Sequence, residues 1–163
     1  MLRILGIDPG LANTGWAVIE VSGSRTVAVS YGAVSTKPSQ PLATRLATIN
    51  AAIAEAIETY APTEVAIEDV FFGVNAKSAF ALGQARGVAI LAAAPLGLPV
   101  GEYTPTQIKS AVVGEGHATK EQIGYMVRTL LSLDHTPKPD HCSDALAVAI
   151  THASLRGHRT LEG

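Results

Sequence analysis

The run I-L-G-I-D-P-G at residues 4–10 constrains the fold more than any other stretch of the chain. Apolar and small residues of strand character lead straight into Asp8, and Pro9 and Gly10 then turn the backbone away. A carboxylate is costly to bury without a partner. The end of this strand must therefore lie where other groups, or a cation, can meet Asp8. That requires a sheet with functional side chains gathered at one edge.

The rest of the chain supplies such a sheet. Residues 2–8, 15–20 and 26–35 are predicted strands, separated by the turn sequences P-G-L-A-N-T-G and V-S-G-S-R. They should form an antiparallel meander. Residues 41–60 place Leu42, Leu46, Ile49, Ile53 and Ile57 at helical spacing. E-V-A-I-E-D-V-F-F at 64–72 reads as a fourth strand, and residues 98–105 as a short fifth. Between them, residues 75–94 form an Ala-rich helix, whose small residues suit close packing on the sheet or on a second subunit. Helices are expected at 105–113, 119–132 and 141–155. This order predicts an α/β fold, with a mixed five-stranded sheet covered by helices on both faces. Strands one to three are antiparallel, and strands four and five parallel.

At 163 residues, a single domain spanning 1–163 is expected. Hydrophobic content of 47% against 16% charged residues argues against disorder. The apolar runs are short and interrupted, so no membrane span is expected, and no signal peptide is apparent. The lone cysteine, Cys142, rules out an internal disulfide framework and suits a cytoplasmic setting. It also argues against a zinc site. Net charge is −2, but its distribution is uneven. Residues 1–74 carry four basic and seven acidic side chains, and residues 75–128 carry five and three. Solvated faces explain this asymmetry as well as a nucleic-acid partner does.

Three acids occupy corresponding places: Asp8 at the end of strand one, Glu68 at the end of the apolar run V-A-I in strand four, and Asp144 one turn into the last helix. Strands one and four, if adjacent and parallel, would lie ~4.8 Å apart, which would set Asp8 beside Glu68. Like charges this close are tolerable only with a cation between them. Hard divalent ions take such oxygen ligands, and a pair of ions can clamp the attacking and leaving oxygens of a phosphodiester. G-E-G-H-A-T-K at 114–120 lacks the spacing of a phosphate-binding loop, which leaves His117 as a loop residue. Trp16 and Tyr125 are expected to pack.

In order along the chain, I-L-G-I-D-P-G-L-x-N-T-G-W, A-I-E-D-V-F-F, L-G-Q-A-R-G-V-A-I, Q-I-K-S-A-V-V-G-x-G-x-A-x-K and D-A-L-A-V-A-I-T-H resemble a RuvC-type Holliday junction resolvase, of the RNase H-like superfamily. The resemblance covers residues 4–155. It implies that Asp8, Glu68 and Asp144 are metal-binding carboxylates. The family's fourth metal position, where many members have Asp, falls on His141. Spacing i, i+3 keeps His141 on the Asp144 face. Asp140 reaches that face too, but follows Pro139 and also reads as an N-cap. His141 is taken as ligand or proton-handling group, with Asp140 as competitor. Imidazole is softer than carboxylate, which implies a preference for Mn²⁺ over Mg²⁺.

The resemblance further implies that Phe71 matches an aromatic that contacts bases, with Phe72 beside it. Lys109 and Lys120 match basic residues near the scissile phosphate, and Lys77 joins the DNA-facing set. Two divalent ions per subunit would hydrolyse DNA to 5′-phosphate and 3′-hydroxyl ends. Paired symmetric nicks in a four-way junction imply a two-fold homodimer. Cooperation with a RuvA–RuvB branch-migration machine and some preference for the cut sequence are also implied. A ribonuclease acting on RNA–DNA hybrid would use the same acids but must read 2′-hydroxyls. A catalytically silent junction binder is a third reading, which a cleavage assay separates. An actin-like or sugar-kinase ATP-binding module can also begin G-I-D-x-G, but it needs two such domains.

Overall fold

β-Branched and apolar segments joined by tight turns build one half of a sheet, and parallel crossovers build the other. The computed structural model describes residues 1–69 and 75–159. β1 (Leu2–Asp8), β2 (Asn13–Ser22) and β3 (Arg25–Ser35) form the antiparallel meander. The first turn is closed by Thr14, whose hydroxyl donates to the Gly10 carbonyl at 2.7 Å and accepts from the Gly10 amide at 3.2 Å. Helix α1 (Leu42–Tyr60) crosses to β4 (Glu64–Glu68), and α2 (Ala76–Ala93) crosses to β5 (Val100–Tyr103). The sheet order is β3-β2-β1-β4-β5, with β1, β4 and β5 parallel. This is the mixed five-stranded arrangement expected from the sequence. β4 ends at Glu68 and does not continue into Asp69; residues 70–72 of the expected strand lie outside the described residues.

Each face of the sheet is covered by its own core. On one face Leu5, Ile7, Val18, Val65 and Ile67 pack against Ile53 and Ile57 of α1 and Ala89 and Ala93 of α2. Leu42 is 43% exposed and lies outside this core. The other face carries α3 (Pro105–Val113), α4 (Lys120–Leu130) and α5 (Asp140–Arg159). α5 is central here, and its run Ala145–Ile150 is buried against Ile4, Ala17, Ile19 and Ala66. Trp16 is half-buried, with its ring 5.7 Å from that of Tyr60. Tyr125, by contrast, is 65% exposed. The inward side of α4 is taken by Ile123, Gly124 and Val127, which turns the Tyr125 ring outward.

Helix α2 with its following turn, Ala76–Leu96, is long and apolar enough by length and composition alone to cross a membrane. Its packing is that of a helix on a sheet. Ala85, Ala89 and Ala93 are buried, and Asn50 of α1 donates to the Val88 carbonyl at 2.8 Å. Phe80 and Leu91 are left exposed on its outer side.

Two glycines set how closely α5 approaches the strands. A Cβ at Gly6 of β1 would stand 2.2 Å from the Ala145 carbonyl oxygen and 2.8 Å from the Ala149 nitrogen. At Gly15 of β2 it would stand 2.1 Å from the His141 carbonyl oxygen. A glycine within a strand commonly marks such a backbone approach. The far end of α5 is tied down electrostatically. His152 Nε2 lies 2.6 Å from Glu64 Oε2, and His152 Nδ1 lies 2.8 Å from the Tyr103 hydroxyl. Arg156 grips the same carboxylate through both its Nε and Nη2, and holds the Glu64 carboxyl below its ordinary range.

Because α5 is seated on the Gly6 backbone, Gly6→Ala is expected to lower unfolding free energy by about 2 to 3 kcal/mol, the cost typical of overpacking a core. Urea denaturation measures this, and an unchanged midpoint would contradict the seating.

Candidate metal centre

Strand register brings the first two acids together. The last β1–β4 pair is Ile7 with Ile67, so Asp8 and Glu68 are the next residues on two neighbouring parallel strands. Asp8 also closes the β1–β2 ladder opposite Gly15. The missing side chain at Gly15 is what lets the first turn of α5 lie over this strand end. His141 and Asp144 then project from α5 one turn apart, toward Asp8.

The result is a compact donor set. Ligand atoms of Asp8, His141 and Asp144 all lie within 4.8 Å of one another. His141 Nδ1 is 3.3 Å from Asp8 Oδ2. Glu68 borders Asp8 and lines the same cavity, of about 480 Å³, together with Lys109, Lys120, His141 and Asp144. Asp140 lies outside this set. It is exposed and pairs with Lys138, whose Nζ is 2.7 Å from Asp140 Oδ1. At this end of α5 it is therefore His141 that faces the other two acids.

The electrostatics are those of a site that a cation would stabilise. Burial, reinforced by the Asp144 charge, pushes the Asp8 carboxyl up to about 7. Burial and the neighbouring Asp8 push Glu68 up to about 8. Burial also raises Asp144, although the Lys120 ammonium, 3.8 Å from its carboxylate, opposes the shift. Carboxyls pushed this far up hold protons where free acids would be ionised, and a divalent ion would displace those protons. Three carboxylates and one imidazole make a hard donor set with one borderline member, which fits Mg²⁺ or Mn²⁺.

The two lysines reach the cavity from helices whose starts are fixed by capping boxes. Thr104 accepts from the Gln107 amide at 3.2 Å while the Gln107 side chain accepts from the Thr104 amide at 2.9 Å. Thr119 and Gln122 repeat the pattern at 3.2 and 2.8 Å. α3 thereby presents Lys109, and α4 presents Lys120 at its first position. The threonine–glutamine spacing is visible in the sequence and explains why these loops stop where they do. Gly6 and Gly15 also shape the site, and glycine within a strand is their signal in the sequence.

The remaining candidates fall elsewhere. Lys77 is exposed in the first turn of α2, outside the cavity. Phe71 and Phe72 lie outside the described residues. His117 is an exposed loop residue, and Cys142 is buried and unpaired.

Comparison with known proteins gives a consistent set of relatives. Residues 4–152 match the family model described as crossover junction endodeoxyribonuclease RuvC. A protein of that name from Heliobacterium modesticaldum is 54% identical over 147 residues, covering 90% of this chain and 91% of the relative. Another from Desulforamulus reducens is 51% identical over 150 residues, covering 92% of each. Among solved structures, Thermus thermophilus RuvC in complex with Holliday junction substrate superposes with a TM-score of 0.92, at 37% identity and 98% coverage of both chains.

The raised carboxyls make a signed prediction for the metal-free protein. A group raised on folding favours the native state fully below its unfolded value, and that contribution is lost as pH rises through its folded value. For Asp8 and Glu68 the window runs from the ordinary carboxylate values near 4 up to about 7 and about 8. The metal-free protein is expected to lose on the order of 3 kcal/mol of stability across it. Thermal melts in chelator from pH 4.5 to 8 measure this, with Asp8→Asn flattening the profile.

Proposed function

The chain belongs to the crossover junction endodeoxyribonuclease RuvC family, and from that premise we propose how its cavity serves Holliday junction resolution. Asp8, Glu68, His141 and Asp144 would hold two divalent ions per subunit, Mg²⁺ or Mn²⁺. Such ions, when bound, would supply activation of a water and charge stabilisation at the leaving 3′ oxygen, the chemistry that gives 5′-phosphate ends. The observation that carries this reading is the convergence of Asp8, His141 and Asp144 within 4.8 Å, in a cavity also lined by Glu68 and two lysines.

The chain's own groups divide the remaining work. Lys109 and Lys120, on opposite helices at the cavity rim, steady the charge that develops on the scissile phosphate. Lys120 also pairs with Asp144, which holds that carboxylate toward the cavity. Phe71 and Phe72 follow Glu68 in the chain, where an aromatic can stack on or wedge between bases. Lys77 offers a phosphate contact from the start of α2. Two equivalent cuts call for two cavities related by a two-fold axis. The outer face of α2 supports a homodimer, because Phe80 and Leu91 are 71% and 60% exposed there. A cytoplasmic location and cooperation with RuvA–RuvB accord with a junction substrate.

The direct test is cleavage of a synthetic four-way junction by the wild-type protein and Asp8→Asn, in Mg²⁺ or Mn²⁺. Paired symmetric nicks are expected, falling at least about 10³-fold in Asp8→Asn with junction binding retained. An RNA–DNA hybrid offered in competition should be left intact, and preferential cutting of the hybrid would sink the reading.

His141 gives a second prediction. Replacing imidazole with a hard carboxylate in His141→Asp should lower the Mn²⁺/Mg²⁺ activity ratio several-fold. An unchanged ratio would remove His141 from the ligand set.

A further inference from the structure

The cavity side of Glu68 faces the proposed ions, but the backbone of the same residue is gripped from the opposite side of the sheet. Arg86 of α2 donates from Nε to the Glu68 carbonyl oxygen at 3.2 Å. Its Nη2 pairs with the Glu102 carboxylate of β5 and lies 3.5 Å from Asp69 Oδ1. Its side chain is only 15% exposed, so the guanidinium is wedged among the strand ends rather than resting on the surface.

The reason for a side-chain donor at this point lies in Pro9. Residues 4–7 of β1 pair in register with residues 64–67 of β4. In a parallel ladder each inward-facing residue bonds the two flanking residues of its neighbour. Continued one step, that register sets the Glu68 carbonyl opposite the nitrogen of residue 9. Proline has no N–H to give. The turn that frees Asp8 to face the cavity therefore also removes the ladder donor that would anchor Glu68. On its other edge the strand end is held by the Asp69 amide, which donates to the Tyr103 carbonyl at 2.8 Å.

We propose that Arg86 is a positioning residue, which replaces the ladder hydrogen bond missing at Pro9 and so holds Glu68 in place for metal binding. The guanidinium suits this task because its planar fork donates to a carbonyl and to carboxylates at once. It also makes α2, whose outer face carries Phe80 and Leu91, rigidly continuous with one metal ligand. The proposal rests on the reading of Glu68 as a ligand.

The test is Mn²⁺ affinity, read by electron paramagnetic resonance of the free ion, alongside junction affinity in chelator. Arg86→Gln should weaken Mn²⁺ binding about tenfold and leave metal-free junction binding within about twofold. It should also speed hydrogen exchange at the Asp69 amide without metal present. Arg86→Lys should recover part of the affinity, since an ammonium can still reach the carbonyl. Wild-type Mn²⁺ affinity in folded Arg86→Gln would overturn the proposal, as would a parallel fall in junction affinity. If Arg86→Gln does not fold, Glu102→Gln frees one arm of the fork and should weaken Mn²⁺ binding about threefold; no change there overturns it equally. Glu68→Gln is the control: Mn²⁺ affinity unaffected by that substitution would overturn the ligand reading itself.

Discussion

The meeting of buried carboxylates at the ends of two central strands is the constraint around which the rest of the molecule is arranged. Asp8, Glu68 and Asp144 are each raised by burial, and the neighbouring acid charges add to the shift. A fold that gathers them without a cation must hold protons there instead. The site is thus destabilising when empty and ionised, and the surrounding elements have to oppose that from several directions. The Glu64–His152–Arg156 cluster ties down the far end of α5, and the Gly6 contact seats its middle.

Close approach is what makes such a site possible. Helices usually lie about 10 Å from a sheet because side chains intervene. Here Gly6 and Gly15 remove those side chains under α5, and the backbone of Ala145 and His141 rests directly over the strands. His141 and Asp144 can then reach Asp8 with short side chains. The same economy appears in the lysines. Capping boxes start α3 and α4 at defined residues, so Lys109 and Lys120 line the cavity instead of ranging over the surface.

Much of this was legible in the chain itself. The alternation of strand and helix patterns predicts the mixed sheet, and strand-end acids predict a shared edge. The identity of the fourth cluster member was less so. Asp140 and His141 are adjacent, and both lie near the Asp144 face by helical spacing. Lys138, absent from that reasoning, pairs with Asp140 and leaves His141 to Asp8. Tyr125 was misjudged for a similar reason. An aromatic in an amphipathic helix suggests core, but Ile123 and Val127 already fill the inward face.

Sequence alone determined the order of elements, the strand-end placement of Asp8, the position of Glu68 after the apolar run of β4, and the one-turn spacing of His141 and Asp144, because these follow from local periodicity. Tertiary structure decided which acids meet, how near α5 lies, and that Arg86 stands in for the proton Pro9 lacks. Those depend on register and on contacts between residues distant in the chain. Local propensity carries no information about such pairings.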